Sequence, residues 1–369
     1  KETGMRLWIV GGGTGGHVYP ALAAAQALLA HAPDTKLTWV GTVGGMETQI
    51  VERANIPFIA IPGGGVHGVA WASAVRNGWE LSRGVWVALK HLRRERPAAI
   101  LTTGGYVSGP VAAAASWMRI PILVYLPDIE PAQSVKTVGR LAAQVAVTVE
   151  ESRQYFDPRK VVVTGYPLGE RITCWTRAEA RRTWGLPEDA TVLLVFGGSR
   201  GARSINRALL PHVEILTQSA TILHISGTLD WPEVQAAREA LPEAVKERYQ
   251  AYPYLHDEMG AAMAAADLAL CRAGASVLGE FPYFGLPSIL VPYPHAWRYQ
   301  KVNAAWLAGR GAAVVVEDAE LPAKIVPLVR DLLEDTARRN AMATAARALA
   351  QPDAAWRLAE QLLALGQGR

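Results

Sequence analysis

Three glycine-rich stretches hold most of the chemistry that residue type and spacing suggest in this chain. GGGTGGH at 11–17, TGGYVSG at 103–109 and FGGSRGA at 196–202 each follow a short apolar run of strand length, and each opens a stretch with helical character. At such a junction the backbone N–H groups of a glycine turn and the positive end of a helix can cradle a phosphate or the hydroxyls of a sugar. The first stretch contains G-x-G-x-x-G at Gly11, Gly13 and Gly16, the spacing of a dinucleotide fingerprint. That reading needs an acidic residue at the end of the next strand to hold a ribose, and the next strand pattern ends Val40-Gly41-Thr42. A Walker-type loop fails too, because His17 stands where the phosphate-binding lysine belongs. A single glycine loop is more often a tight turn than a site. Three at equivalent junctions predict ligands at the carboxyl ends of parallel strands.

The elements that must position these loops alternate regularly. Strand patterns at 7–10, 37–40, 58–61, 100–102, 122–125, 145–149 and 161–163 are separated by helical stretches, the first of them at 19–31. A second series at 192–196, 222–226, 268–270, 288–291 and 312–316 restarts the order. The pattern predicts an α/β fold of two Rossmann-like domains, with the crossing in TGYPLG at 164–169. We expect a first domain over 5–165, a second over 166–350, and a helix within 351–369 that packs on a domain or bridges the two. A length of 369 residues suits two domains, and 50% apolar with 19% charged residues excludes a disordered chain. The formal charge of +4 is too mild to indicate a nucleic-acid partner, and none is expected. Cys174 and Cys271 lie in no disulfide or metal spacing, which fits a reducing compartment and predicts no metal site. No apolar run reaches the ~18–20 residues that span a bilayer. The strand pattern from Arg6 leaves no room for a signal peptide, and residues 1–4 read as expression remnants.

Four runs, GGGTGGHVYPALA (11–23), TTGGYVSGP (102–110), FGGSRGARSIN (196–206) and CRAGASVLGEFPYFGLPSILVPYPHAWRYQKVNA (271–304), together resemble the MurG family of bacterial glycosyltransferases over nearly the whole chain from Met5. The resemblance implies a GT-B fold, two Rossmann-like domains facing across a cleft. It implies inverting transfer of N-acetylglucosamine from a UDP donor to a polyprenyl-diphosphate-linked acceptor, lipid I, in peptidoglycan synthesis. The UDP-sugar is then a substrate, no cofactor is required for the chemistry, and a divalent cation is expected to stimulate at most. Donor contacts are implied at Thr14, Gly15, Ser199, Arg200, Gly201, Leu255, Ala275, Ser276, Glu280 and Gln300. Among these, Glu280 would accept the ribose hydroxyls, Ser199 and the helix start after it would meet the diphosphate, Leu255 the uracil, and Gln300 the sugar. Gly104, Tyr106, Glu130 and Tyr299 fall on the acceptor or sugar side, and His17 and Asp128 are the candidate bases.

The chain departs from the family pattern in places. Arg200 replaces a glutamine, Tyr299 replaces the first glutamine of the sugar motif, and Gly169 replaces an arginine, with Arg171 as a substitute two residues on. Where the family has His-Glu-Gln-Asn, this chain has Tyr125-Leu126-Pro127-Asp128, which puts a carboxylate in the asparagine's place. Asp128-x-Glu130 before a proline is poor evidence for a catalytic metal. Other readings stay open: a different lipid acceptor or UDP-sugar, a sugar-nucleotide epimerase, or a non-catalytic UDP-sugar-binding subunit. In residues 70–96, Trp71, Trp79 and Trp86 are interleaved with cations including Arg93 and Arg94. Such a stretch is either a buried helix with a solvated basic end or a surface that dips into anionic headgroups. The implied lipid-linked acceptor favours the second, with the protein in the cytoplasm, peripheral on the inner face of the plasma membrane.

Overall fold

The computed structural model describes residues 4–45, 47–62, 71–198, 201–295 and 298–368, with the backbone alone for 71–80. The chain divides into two compact units, Lys1–Gly169 with Pro352–Arg369, and Glu170–Gln351.

In the first unit, seven parallel strands are β1 (Arg6–Gly11), β2 (Lys36–Thr42), β3 (Phe58–Ile61), β4 (Ala99–Gly104), β5 (Ile122–Leu126), β6 (Gln144–Val147) and β7 (Val161–Val163), in the order β3-β2-β1-β4-β5-β6-β7. Helices α1 (Gly15–His31), α2 (Glu47–Arg53), α3 (Trp71–Glu95), α4 (Ser108–Trp117) and α5 (Gln133–Leu141) connect them. The central strands are covered on both faces, which is why they read as unbroken apolar runs. Successive residues of β1 point to opposite faces: Trp8 and Val10 join a core with Leu92, Val111 and Val124, while Leu7 and Ile9 join one with Leu28, Leu101 and Tyr125. Leu358 and Leu362 of the last helix, Ala354–Gly366, belong to this second core, and Trp356 stacks on His31 at 4.1 Å.

The second unit has β8 (Val192–Phe196), β9 (Thr221–Ile225), β10 (Tyr249–Tyr252), β11 (Leu268–Cys271), β12 (Ser288–Leu290) and β13 (Ala313–Val315), in the order β10-β9-β8-β11-β12-β13. Its core gathers Leu193, Val195, Ile205, Ile222, Leu270 and Ile289. The sequence pattern did not reveal β10. At the sheet edge it pairs with β9 alone, so YQAY needs no two-sided apolar signature. Helix α1 begins at Gly15, four residues before the predicted start, because docking on β1 and β4 outweighs the poor helix propensity of its glycines.

Each unit therefore repeats one topology, in which the first and fourth strands lie side by side and the order reverses between them. Connections leave those two strands toward opposite sides, which opens a crevice at their carboxyl ends. The loops after β1 and β4 and those after β8 and β11 are the segments singled out in the sequence.

Candidate active site

At the β1/β4 crevice, the first glycine loop is pinned from three sides. Trp39 Nε1 donates to the Gly11 carbonyl at 2.9 Å, Thr103 Oγ1 donates to the His17 carbonyl at 2.7 Å, and the Gly13 N–H donates to Glu47 Oε2 at 3.2 Å. Thr14 provides no side-chain cap, so the N–H groups of Gly15 and Gly16 point out of the start of α1, where an anion gains from the helix dipole. The second loop leans on the first. A side chain at Gly104 (φ +115°) would meet the His17 ring at 2.8 Å, so this position must be glycine both for its backbone and for the imidazole beside it. Thr102 Oγ1 donates to Ser108 Oγ at 2.7 Å and steadies the turn between them. Tyr106 projects from this loop, 57% exposed.

Burial favours the neutral form of His17. Burial depresses its pKa below 6.5, and the nearby Asp128 charge and the Thr103 backbone only partly oppose this. Its Nδ1 is shielded and accepts no hydrogen bond among the described residues. Asp128 is placed by a strut below it. The Thr148 hydroxyl, at the end of β6, lies within 3.1 Å of the Leu126 carbonyl and 2.9 Å of both the Pro127 carbonyl and the Tyr125 hydroxyl. Tyr125 is fully buried and donates to the Gly165 carbonyl at 3.2 Å, and burial raises its pKa. Glu130 follows on the same loop, half-buried.

In the second unit the loop after β8 contains Gly198 (φ +89°) and Gly201 (φ +77°) and leads into the helix Arg203–Leu209. A methyl on Gly201 would collide with the Ser226 carbonyl, and that carbonyl is held by Asn206 Nδ2 at 2.9 Å. Asn206 Nδ2 also donates to Asp230, so its oxygen is left to accept from His224 Nε2, while His224 Nδ1 accepts from the Tyr249 hydroxyl at 2.7 Å. Complete burial drives the His224 pKa down to about 3, so the network stays neutral at that ring. After β11, the turn 273–276 leads into the helix Val277–Phe284. The Ala273 carbonyl is held by Asn303 Nδ2 at 3.2 Å. Arg272 donates to Asp318, Ser204 and the Val291 carbonyl, tying this turn to the helix after β8. Glu280 lies in the first turn of the helix Val277–Phe284 and is half-buried. Burial raises its carboxyl to about 7, with a hydrogen bond from Ser276 and the charge of Arg171 opposing.

Residues 7–147 match the glycosyltransferase family 28 N-terminal domain and residues 192–358 the C-terminal domain of the same family. A protein of Roseiflexus sp. (strain RS-1), named UDP-N-acetylglucosamine--N-acetylmuramyl-(pentapeptide) pyrophosphoryl-undecaprenol N-acetylglucosamine transferase, is 41% identical over 96% of this chain and 94% of its own. The protein of that name from Bacillus subtilis (strain 168) is 34% identical, covering 96% and 98%. The chain belongs to the MurG family. The crystal structure of MurG from Acinetobacter baumannii superposes with a TM-score of 0.73 at 26% identity, over 97% of this chain and 99% of that one. The UDP-GlcNAc 2-epimerase of Neisseria meningitidis bound to UDP-GlcNAc, at 14% identity and a TM-score of 0.69 over 97% and 100%, shares the GT-B fold.

Set against the MurG family pattern, His17 lies in the first turn of α1 with Thr14 and Gly15 at its start, Gly104 ends β4, and Tyr106, Asp128 and Glu130 lie on the loops after β4 and β5. Gly201, Ala275, Ser276 and Glu280 sit at the β8/β11 crevice. Leu255 is buried in the turn after β10. Ser199 and Arg200 fall outside the described residues, as do the side chains of Trp71 and Trp79. Gln300 uses its Oε1 to accept the Tyr293 N–H at 2.9 Å, which leaves its amide N–H groups to donate. Tyr299 begins the helix Tyr299–Ala308 beside it. Among the described residues no three His, Cys, Asp or Glu side chains are grouped so that they could hold a metal ion. Sequence reasoning missed Glu47, Arg272 and the His224 network, which shape the loops from behind.

Proposed function

We propose that this MurG-family chain transfers N-acetylglucosamine from UDP-GlcNAc to lipid I in peptidoglycan synthesis. The observation that carries this reading is the relationship to transferases of that name across 94–98% of both chains. UDP-GlcNAc is the donor substrate.

In this reading the second unit, Glu170–Gln351, holds the donor. Glu280 accepts the ribose hydroxyls, and the backbone and side chains at 199–201, 275 and 276 meet the diphosphate. Leu255 flanks the uracil and Gln300 donates to the sugar. The first unit takes the acceptor at Gly104, Tyr106 and Glu130 and adds Thr14 and Gly15 to the donor set, and Tyr299 of the second unit falls on the sugar side. The acceptor hydroxyl attacks the anomeric carbon while the bond to the UDP oxygen breaks. UDP leaves with the bonding pair and the anomeric centre inverts. The hydroxyl proton passes to His17 or Asp128. His17 suits the role because burial lowers its pKa and so favours the unprotonated imidazole that a base needs.

We also assign the lipid side of the reaction to α3 and α4. Ala88 and Leu92 of α3 face the core, whereas Trp86, 67% exposed, shares the opposite face with Arg83, Lys90 and Arg93 at helical spacing. Trp117, 77% exposed, ends the adjacent α4. Aromatic rings ringed by cations suit a surface of anionic headgroups. No helix of the described residues is long and apolar enough to cross a membrane. In this reading the enzyme is peripheral on the cytoplasmic face of the membrane, with the exposed side of α3 that carries Trp86, Arg93 and Arg94 against lipid.

The test is incubation with radiolabelled UDP-GlcNAc, with and without lipid I, following labelled lipid and released UDP. Labelled lipid that requires lipid I is the expected result. UDP release or epimerised sugar without any acceptor would overturn it.

A further inference from the structure

Glu47 is the first residue of α2 and has no exposed surface. Its Oε1 accepts the Thr42 N–H at 2.7 Å and its Oε2 the Gly13 N–H at 3.2 Å. Among the described residues these two backbone groups are its hydrogen-bond partners, and no cation pairs with it. A carboxylate removed from water without a counter-ion is costly unless hydrogen bonds compensate it. The chain is shaped around it: a methyl on Gly12 or Gly45 would collide with the carboxylate, and one on Gly41 would collide with the Phe58 ring and press on the Glu47 stem at 3.0 Å.

The consequence lies in the orientation of one peptide. In a trans peptide the C=O of one residue and the N–H of the next point in opposite directions. With the Gly13 N–H turned to Glu47, the Gly12 carbonyl must face away, and on that side lies Gly105, where a side chain would meet the Gly12 oxygen at 2.6 Å. The reversed peptide would aim a carbonyl oxygen at a carboxylate, two acceptors without a proton between them. A glutamine in this place would lift that veto, because its NH2 could donate to the reversed carbonyl.

We propose that Glu47 is a positioning residue for transfer, the lock that holds the Gly12–Gly13 peptide in one orientation. That orientation seats the second glycine loop against the first, and Gly104 of the second loop forms the wall beside the His17 ring. The effect on catalysis rests on the function proposed above, whereas the lock itself does not.

The experiment compares the full-length protein with its Glu47→Gln variant in three measurements. These are steady-state kinetics with UDP-GlcNAc and lipid I, calorimetric binding of UDP-GlcNAc without acceptor, and amide hydrogen exchange over residues 10–17. The expected result is a kcat lower by about tenfold or more, a raised KM for lipid I and faster exchange at 10–17, with UDP-GlcNAc affinity reduced by much less than kcat, because only Thr14 and Gly15 of the proposed donor contacts lie on this loop. Unchanged kinetics and exchange would overturn the proposal, as would an equal loss of UDP-GlcNAc affinity, which would mark general unfolding. If Glu47→Gln does not fold, Gly45→Ala, whose methyl pushes on the same carboxylate, must show the same split, and its failure to do so overturns the proposal. If the unmodified protein makes no labelled lipid, the functional reading falls, and hydrogen exchange alone decides the lock.

Discussion

Acidification should loosen donor binding through Glu280 before it reaches the chemistry. Burial raises this carboxyl from the ordinary 4.5 to about 7. Only the ionised form offers both oxygens to a pair of ribose hydroxyls. With a pKa of about 7, roughly nine-tenths of the free protein is ionised at pH 8 and roughly one-tenth at pH 6. The dissociation constant for UDP-GlcNAc should thus rise about tenfold between those values and about ninefold again by pH 5. Calorimetry without acceptor isolates this step, and the diphosphate diester of the donor has no group titrating in the window. At pH 7 binding should release about half a proton, visible as a dependence of the heat on buffer ionisation enthalpy. Glu280→Gln removes a charged acceptor worth about 1.5–3 kcal/mol, so affinity at pH 8 should fall about 10- to 100-fold and the pH slope should vanish. Stability should move the other way. A carboxyl whose folded pKa lies above its unfolded one stabilises the fold below about 4.5 and loses that contribution as pH rises through about 7. The glutamine variant should therefore resist denaturant better than the parent at pH 8, and not at pH 4.5. An affinity flat from pH 8 to pH 6, or a slope that survives in Glu280→Gln, would refute the assignment.

His17→Gln should lower kcat by about 100-fold or more while leaving UDP-GlcNAc affinity intact, and the acid limb of the parent kcat profile should fall below pH 6.5, the side to which burial moves the imidazole. A parent limb above pH 6.5 would exclude His17 as the base. Thr148→Val removes the hydroxyl that links Tyr125 to the carbonyls of Leu126 and Pro127, and should cost about 1–3 kcal/mol in denaturant unfolding and raise the KM for lipid I. Replacing Trp86 and Trp117 together by serine should cut co-sedimentation with phosphatidylglycerol vesicles several-fold, and the residual binding should weaken further with salt. Equal binding by the double variant would remove α3 and α4 from the lipid surface.

Strands with two covered faces were legible because burial on both sides forces an unbroken apolar run, as in β1, β5 and β8. An edge strand needs no such run, and β10 stayed hidden for that reason. The glycine loops were legible because a sharp strand-to-helix turn admits few other residues. What lay behind them was not. Glu47, in a segment reading GGMETQ, looks like a charged start to a surface helix, and Gly12, Gly41 and Gly45 converge on it only after the sheet has formed. His224 in TILHIS looks like one polar residue in a strand, because its partners Asn206 and Tyr249 lie 18 and 25 residues away. Tyr125, noted in the sequence as part of an altered recognition loop, turns inward with the pleat and serves the core, so the change in chemistry at that loop falls mainly on Asp128.

The helix Ala354–Gly366 is built into the first unit although the whole second unit precedes it in the chain. During synthesis from the amino end, the second unit can therefore close on contiguous residues, whereas the first must wait with the faces of Leu28 and Leu101 partly uncovered until Leu358 and Leu362 have been made. The domain translated first is the last to finish. Expressed alone, residues 1–169 would carry an open apolar seam, and a separated peptide containing 352–369 should bind that seam and restore its solubility.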